Sequence, residues 1–268
     1  MPREKVLITV KTYPVYSRSY DELVCTAGFR EDGSFIRIYP MPFRKLEYDS
    51  RFKKFQWIEL DLVRNTSDFR PESYRPGDID KIKTLEFIDT DKGTWERRKE
   101  LCLSRVYEDM TLLISEAKDR NTCTSLAVFK PTEITGFDIE EAGREWKREE
   151  EILISRDQLE LFPGKRDLEI VKKLPYNFYY RFTDKNGKES RMMVSDWEAG
   201  SLYWNCLEKH KDEQKACLDV QNKYIQNFGD RDIYFFLGTT KEFHFTSKNP
   251  FIIIGVFYPK ADEQGRLF

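Results

Sequence analysis

Histidine is almost missing from this chain, with two in 268 residues. That scarcity leaves little material for imidazole-rich zinc sites or for a histidine-based nucleophilic triad. The five cysteines (Cys25, Cys102, Cys123, Cys206 and Cys217) lie far apart and never form a CxxC pair. Such spacing predicts free, buried thiols and a reducing compartment, the cytoplasm. No run of eighteen apolar residues occurs, so no membrane-spanning helix and no membrane partner are expected. The start "MPREKVLITV" carries only a short apolar run and reads as a first strand, not a signal peptide. Neither GxxxxGK[ST], GxGxxG nor GxSxG is found, and no cofactor is expected. A positive charge excess is lacking too: the formal net charge is -2. Proteins that live on unspecific phosphate contacts are usually basic, so any nucleic-acid role must come from a local patch.

What is present suits a folded protein with a charged surface: 40% hydrophobic, 15% aromatic and 34% charged residues. "KVLITVKTY" (5–13) alternates, "ELVCTAGF" (22–29) and "FIRIYP" (35–40) flank the turn "REDGS", and "WIELDLV" (57–63) alternates strictly. "IKTLEFI" (82–88) is a fifth strand candidate. Helical spacing within residues 93–121 predicts two short helices, with Ser104 capping the second. A strand follows over 125–139, and then an acidic connection over 140–151. "YNFYYRFT" and "ESRMMVSDW" flank "DKNGK" as a hairpin. Two helices come next, the first capped by Ser195 and the second ending at Gly229, before strands over 231–240 and 250–259. The fold class predicted is α+β, mainly β: two OB-like small β-barrel modules joined and decorated by helices, over residues 1–122 and 123–268.

Chemistry is sparse. His210, at a helix end, reads as solvated, and His244 reads as a strand-surface residue. Asp78, Asp80 and Lys81, like Asp89, Asp91 and Lys92, supply the residue types of a metal-dependent nuclease. In a chain this charged they read as turns, so no catalytic residue and no metal site are expected and the protein is expected not to be an enzyme. The strongest signal is "RIYPMPFRKLEYDSRFKKFQW" (37–57). With Ile36 and Ile38 turned to the core, Arg37 and Tyr39 leave the opposite face of their strand. A ring that stacks on a base beside a cation that holds the backbone is how barrels of this kind bind single strands. Tyr13, Arg18, Arg44, Lys53, Lys54, Arg70, Tyr74 and Arg75 extend that set. Residues 37–75 hold nine Lys/Arg against six Asp/Glu, a modest local excess. The residues alone leave open a plainer reading, in which the rings fill the barrel and the charges are solvated.

"VKTYPVYSRSYDELVCTAGFREDGSFIRIYPMPFRKL", "FQWIELDL", "RPESYRP" and the ending "DIYFFLGTT…PFIIIGVFYP" together resemble the bacterial dual OB-fold-containing domain family, over nearly the whole chain. The resemblance implies two OB-like barrels, a nucleic-acid-binding role and a setting in prokaryotic conflict systems such as phage defence. Some members of that family carry cysteines near "YYRF"; this chain has "RFTDKNGKESRMM" there, without cysteine or histidine. The expectation is therefore a cytoplasmic, non-enzymatic nucleic-acid-binding protein of defence or genome maintenance, holding a single strand or strand end. The alternatives are an adaptor that docks a nuclease or ATPase effector, and a small-nucleotide sensor.

Overall fold

The computed structural model describes residues 3–13, 25–41, 51–145, 172–226, 228 and 231–261. The chain divides into two compact units, Met1–Phe87 with Glu140–Asn177, and Ile88–Ile139 with Phe178–Phe268.

The first unit is built from β1 (Arg3–Lys11), β2 (Thr26–Arg30), β3 (Phe35–Ile38), β4 (Gln56–Arg64), β5 (Ser73–Pro76) and β6 (Lys83–Phe87). They pair in the order β1-β2-β3-β5-β4-β6, and β1 also pairs with β4. Five strands thus close into a barrel, with β6 added on β4. Closure depends on β1 serving two partners: Val6–Lys11 face β2, while Arg3–Ile8 face β4. A bulge between Ile8 and Val10 supplies the local bend that closure needs. The β3–β5 pairing is parallel. Inward-facing Val6, Ile8, Ile36, Ile38, Ile58, Leu60 and Leu62 fill the barrel with Met41 and Phe52, as alternation along each strand dictates. Strand β5 lies inside "RPESYRP", a segment whose charge and prolines hide its strand character from the sequence.

The second unit holds β7 (Val106–Tyr107), β8 (Leu126–Phe129), β9 (Glu133–Glu141), β10 (Tyr176–Thr183), β11 (Glu189–Val194), β12 (Tyr234–Thr239) and β13 (Phe251–Phe257). Its helices are α1 (Glu96–Cys102), α2 (Met110–Lys118), α3 (Trp197–His210) and α4 (Glu213–Ile225). The sheet order is β7-β8-β12-β13-β11-β10-β9. A second barrel is expected here; among the described residues the end strands β7 and β9 are not paired with each other. The strand expected over 125–139 is broken at Pro131 into β8 and β9, because proline cannot donate to a ladder. Only residues 130–132 separate the halves, and Thr132 N–H already donates to Thr183 O at 2.9 Å. β8 pairs with β12 while β9 lies beside β10, so one bent run of chain borders both sides of the sheet, as β1 does in the first unit.

Aromatic side chains make the core here: Phe178, Tyr180, Phe182 and Phe235 are fully buried, and Tyr180 Oη donates to Tyr224 O at 2.6 Å. Helices α3 and α4 bury Ala199, Tyr203 and Cys206, and Ala216, Val220 and Tyr224, at helical spacing. Their caps differ from expectation. Asp196, not Ser195, caps α3 by accepting from Glu198 N, and Asp109, not Ser104, caps α2 by accepting from Leu112 N. In both helices a carboxylate closer to the first turn reaches the open amides and favours the positive end of the helix. The described part of α4 ends at Ile225, and Gly229 lies outside the described residues.

Gly28 tests the packing of the first barrel. A Cβ there would lie 1.9 Å from the Leu7 carbonyl oxygen, backbone that can yield only if the β1–β2 pairing shifts. Gly28→Ala is expected to destabilise this unit by about 3 kcal/mol, read as a lower urea midpoint; an unchanged midpoint would contradict the close approach.

Candidate nucleic-acid interface

In the first unit, alternation places Arg37 opposite Ile36 and Ile38, yet the side chain is only 2% exposed. Its parallel neighbour is Ser73 of β5, and its N–H donates to Glu72 O at 2.9 Å. Burial and the nearby Arg70 charge lower its pKa, opposed by Cys25, Glu72 and Asp68. Arg70 is itself buried, its Nε and Nη2 donating to Asp68 at 2.9 Å and 2.6 Å. Asp68 also accepts from Ser73 Oγ at 2.8 Å. Burial alone would raise the Asp68 pKa; the bonds and charge of Arg70, helped by Arg37, outweigh it and hold the carboxyl well below the usual carboxylate range. Arg64 then pins the loop, donating to the carbonyls of Asn65, Ser73, Asp68 and Arg70.

The ten residues singled out from the sequence therefore fall into different places. Arg37 and Tyr39 do not project from an open face: Tyr39 is 9% exposed, and Tyr13, 6% exposed, donates from Oη to Lys172 O at 2.6 Å. Tyr74 is half-buried under two guanidiniums, Arg30 at 4.7 Å and Arg64 at 5.8 Å from its ring centre, so its π surface is already engaged. Lys53 is exposed, its ammonium 5.8 Å from the Phe87 ring centre. Arg75 is exposed and Lys54 half-buried. Arg18 and Arg44 lie outside the described residues. Arg37 and Arg70 are met on that face by the β4–β5 loop, which brings Asp68 and Glu72 to Arg37 and Asp68 to Arg70.

An accessible arginine pair does occur in the second unit, beside a ring that one of the two guanidiniums covers. Along β10, Phe178, Tyr180 and Phe182 are buried while Tyr179 is half-buried and Arg181 exposed. Arg181 stands directly opposite Arg191 of β11, and Tyr179 opposite Met193. Like charges directly opposite in a sheet are destabilising. Asp138, beside buried Phe137 on β9, compensates: Oδ1 accepts from Arg181 Nε at 3.0 Å and Oδ2 from Arg191 Nε at 2.9 Å. The Arg191 bond above all, together with the bond and charge of Arg181, outweighs desolvation and holds the Asp138 carboxyl below its ordinary range. The Arg191 guanidinium carbon sits 3.7 Å from the Tyr179 ring centre. Gly136 makes room, since a Cβ there would lie 2.4 Å from Arg181 Nη2.

Sequence pattern alone does not single out this cluster, because the dense rings of "YNFYYRF" read as core. The signal was nevertheless local: a tight "DKNGK" turn fixes the hairpin register, and register sets Arg181 against Arg191.

Both histidines have structural partners. His244 is fully buried, not on a strand surface; a carbonyl can only accept, so Nε2 donates to Ala117 O at 2.7 Å while Nδ1 accepts from Thr239 Oγ1 at 2.7 Å. Cys123 Sγ lies 3.5 Å from the same Nε2, whose proton is committed to the carbonyl, so the ring is not placed to take the thiol proton. His210 bonds Asp219 at 2.8 Å and joins α3 to α4. Asp78 caps a single 3-10 turn over Ile79–Lys81, and Asp89 accepts from Asp91 N at 2.8 Å. Among the described residues no cluster of three His, Cys, Asp or Glu is arranged to hold a metal ion.

Fold and site together describe a mainly β protein with a closed five-stranded barrel in its first unit and an arginine-rich sheet face in its second. The chain belongs to the family described as a domain of unknown function (DUF8757), whose model matches residues 106–268. A second family model, described as a domain of unknown function (DUF8758), matches residues 2–104. No curated protein matches the chain.

The Asp68 cluster has a pH signature. With its folded pKa below the unfolded value of about 3.9, Asp68 contributes stability that is complete above the unfolded pKa and is lost as pH falls toward the folded one. Asp68→Asn leaves buried guanidinium charge uncompensated and is expected to cost roughly 3 kcal/mol at neutral pH. Urea denaturation of the variant should depend less on pH below about 4; identical pH slopes in the two proteins would contradict this role.

Proposed function

We propose that this protein is a non-enzymatic binder of single-stranded nucleic acid, and that the strand lies across the outer face of β10 and β11. One observation carries the reading: Arg181 and Arg191 stand opposite each other on an accessible face, both bonded to Asp138, with the Arg191 guanidinium over the Tyr179 ring. A sheet that accepts a like-charge pair where solvated polar residues would serve is breaking a local rule, and such breaks concentrate at functional sites. The chemistry suits unstacked bases and phosphates: guanidinium planes stack bases, and planar forks hold phosphate oxygens.

Topology supports the same reading. The second unit follows the order β9-β10-β11-β13-β12, matching β1-β2-β3-β5-β4 of the closed barrel, with a parallel β11–β13 contact where the first has a parallel β3–β5 contact. We read both units as OB-like barrels, the second closed through the bent β8–β9 run. On that reading β10 and β11 are the second and third strands, the face with which OB barrels bind oligonucleotides. The family resemblance adds prokaryotic defence as the setting.

Fluorescence anisotropy across a salt series tests the reading. Labelled single-stranded DNA or RNA should bind more tightly than duplex, with affinity falling as salt rises. Replacing Arg181 and Arg191 together by alanine should weaken binding by roughly tenfold or more, given about 1–3 kcal/mol per stacked base, while circular dichroism stays unchanged. Absence of binding to every strand at low salt would overturn it.

A further inference from the structure

We infer that Phe243, in the loop between β12 and β13, is a stacking platform for one nucleobase of the bound strand. The inference rests on the nucleic-acid reading above and adds a base contact to it.

The loop reverses the usual order of burial. Phe243 is 51% exposed, while His244 beside it is fully buried. Burial of apolar area alone favours the opposite choice, because an imidazole taken inside must find hydrogen bonds there. His244 finds them at Ala117 O and Thr239 Oγ1. The backbone next to the ring is fixed as well. Ser247 N–H donates to Phe243 O at 3.0 Å, and Ser247 Oγ donates to Asn249 O at 2.7 Å. The segment that carries the exposed ring is thus set before a ligand arrives, which lowers the ordering cost of binding.

The surroundings choose the partner. A protein-docking site is a contiguous apolar patch, whereas Phe243 stands among Lys241, Glu242, Thr246 and Lys248, the last two exposed. The next ring, Phe245, is half-buried, with the exposed Arg120 guanidinium 5.0 Å from its centre. A lone ring among cations suits a single strand, whose base stacks on the ring while its phosphates meet the cations.

Helix α2 ties this loop to the β10–β11 turn. At its start Met110 N–H donates to Asp184 Oδ2 at 3.0 Å, and Thr111 Oγ1 accepts from Lys188 Nζ at 3.2 Å. Near its end Ala117 O accepts from His244. Thr111 to Ala117 covers about 9 Å of helix, so loop and turn are held close enough for one strand to reach both. The matching loop of the first unit, between β4 and β5, also presents a ring: Phe69 is 43% exposed between buried Asp68 and Arg70.

The test uses the full chain and two labelled strands, an oligothymidylate and an abasic sugar-phosphate strand of the same length. Phe243→Ala and Phe243→Leu should each weaken oligothymidylate binding by roughly tenfold, with circular dichroism unchanged. Phe243→Trp should keep the affinity, and added oligothymidylate should quench its fluorescence beyond any change seen in the wild-type protein. The abasic strand should bind the wild-type protein and Phe243→Ala alike. Wild-type affinity in Phe243→Ala, with binding lost in the Arg181 and Arg191 double variant, overturns this inference and leaves the strand-binding reading standing. Full retention by Phe243→Leu, or equal losses on both strands in Phe243→Ala, overturns stacking in the same way. No binding of either strand by the wild-type protein overturns both.

Discussion

Both units depend on one stretch of chain that must satisfy two neighbours at once. β1 gives its later residues to β2 and its earlier ones to β4; the β8–β9 run lies beside β12 and then β10. An open sheet leaves a row of amides and carbonyls on each edge, and in the first unit the shared β1 removes that liability. Once a sheet turns back on itself, each residue faces either a filled interior or the outside. The two-residue period then decides which side chains are available for recognition.

Charge is handled differently in the two units. In the first, Arg37 and Arg70 are taken inside and met by the charges of Asp68 and Glu72, with Ser73 and the Arg64-bound loop completing the hydrogen bonds. Removing one member of such a cluster is costly because the remaining charge stays buried. In the second, Arg181 and Arg191 stay accessible, both bonded through Nε to the partly exposed carboxylate of Asp138. The first arrangement fixes a loop. The second keeps cations on a surface at a set spacing, which is what recognition of an anion asks for.

Much of the fold was legible from short-range pattern. Ile36, Ile38, Ile58 and Leu60 occupy the core positions that alternation assigns them, and the "DKNGK" hairpin joins β10 to β11. What stayed hidden depended on distant partners. Nothing near Arg37 in sequence announces that Asp68 and Glu72, some thirty residues on, will cover it. Arg181 and Arg191 were readable as a pair from the turn, but Asp138 arrives from the next strand, about forty residues upstream. Aromatic density also misled: "YNFYYRF" is core on one side only. The split of 125–139 was signalled by Pro131, whose missing N–H bars an unbroken ladder.

Mapping backbone amide shifts while a short single-stranded oligonucleotide is titrated in tests the central claim most directly. The account predicts the largest changes at Tyr179, Arg181, Arg191 and Met193, with Gly136 and Asp138 beside them. Changes confined to the first unit, or no changes at all, would contradict it.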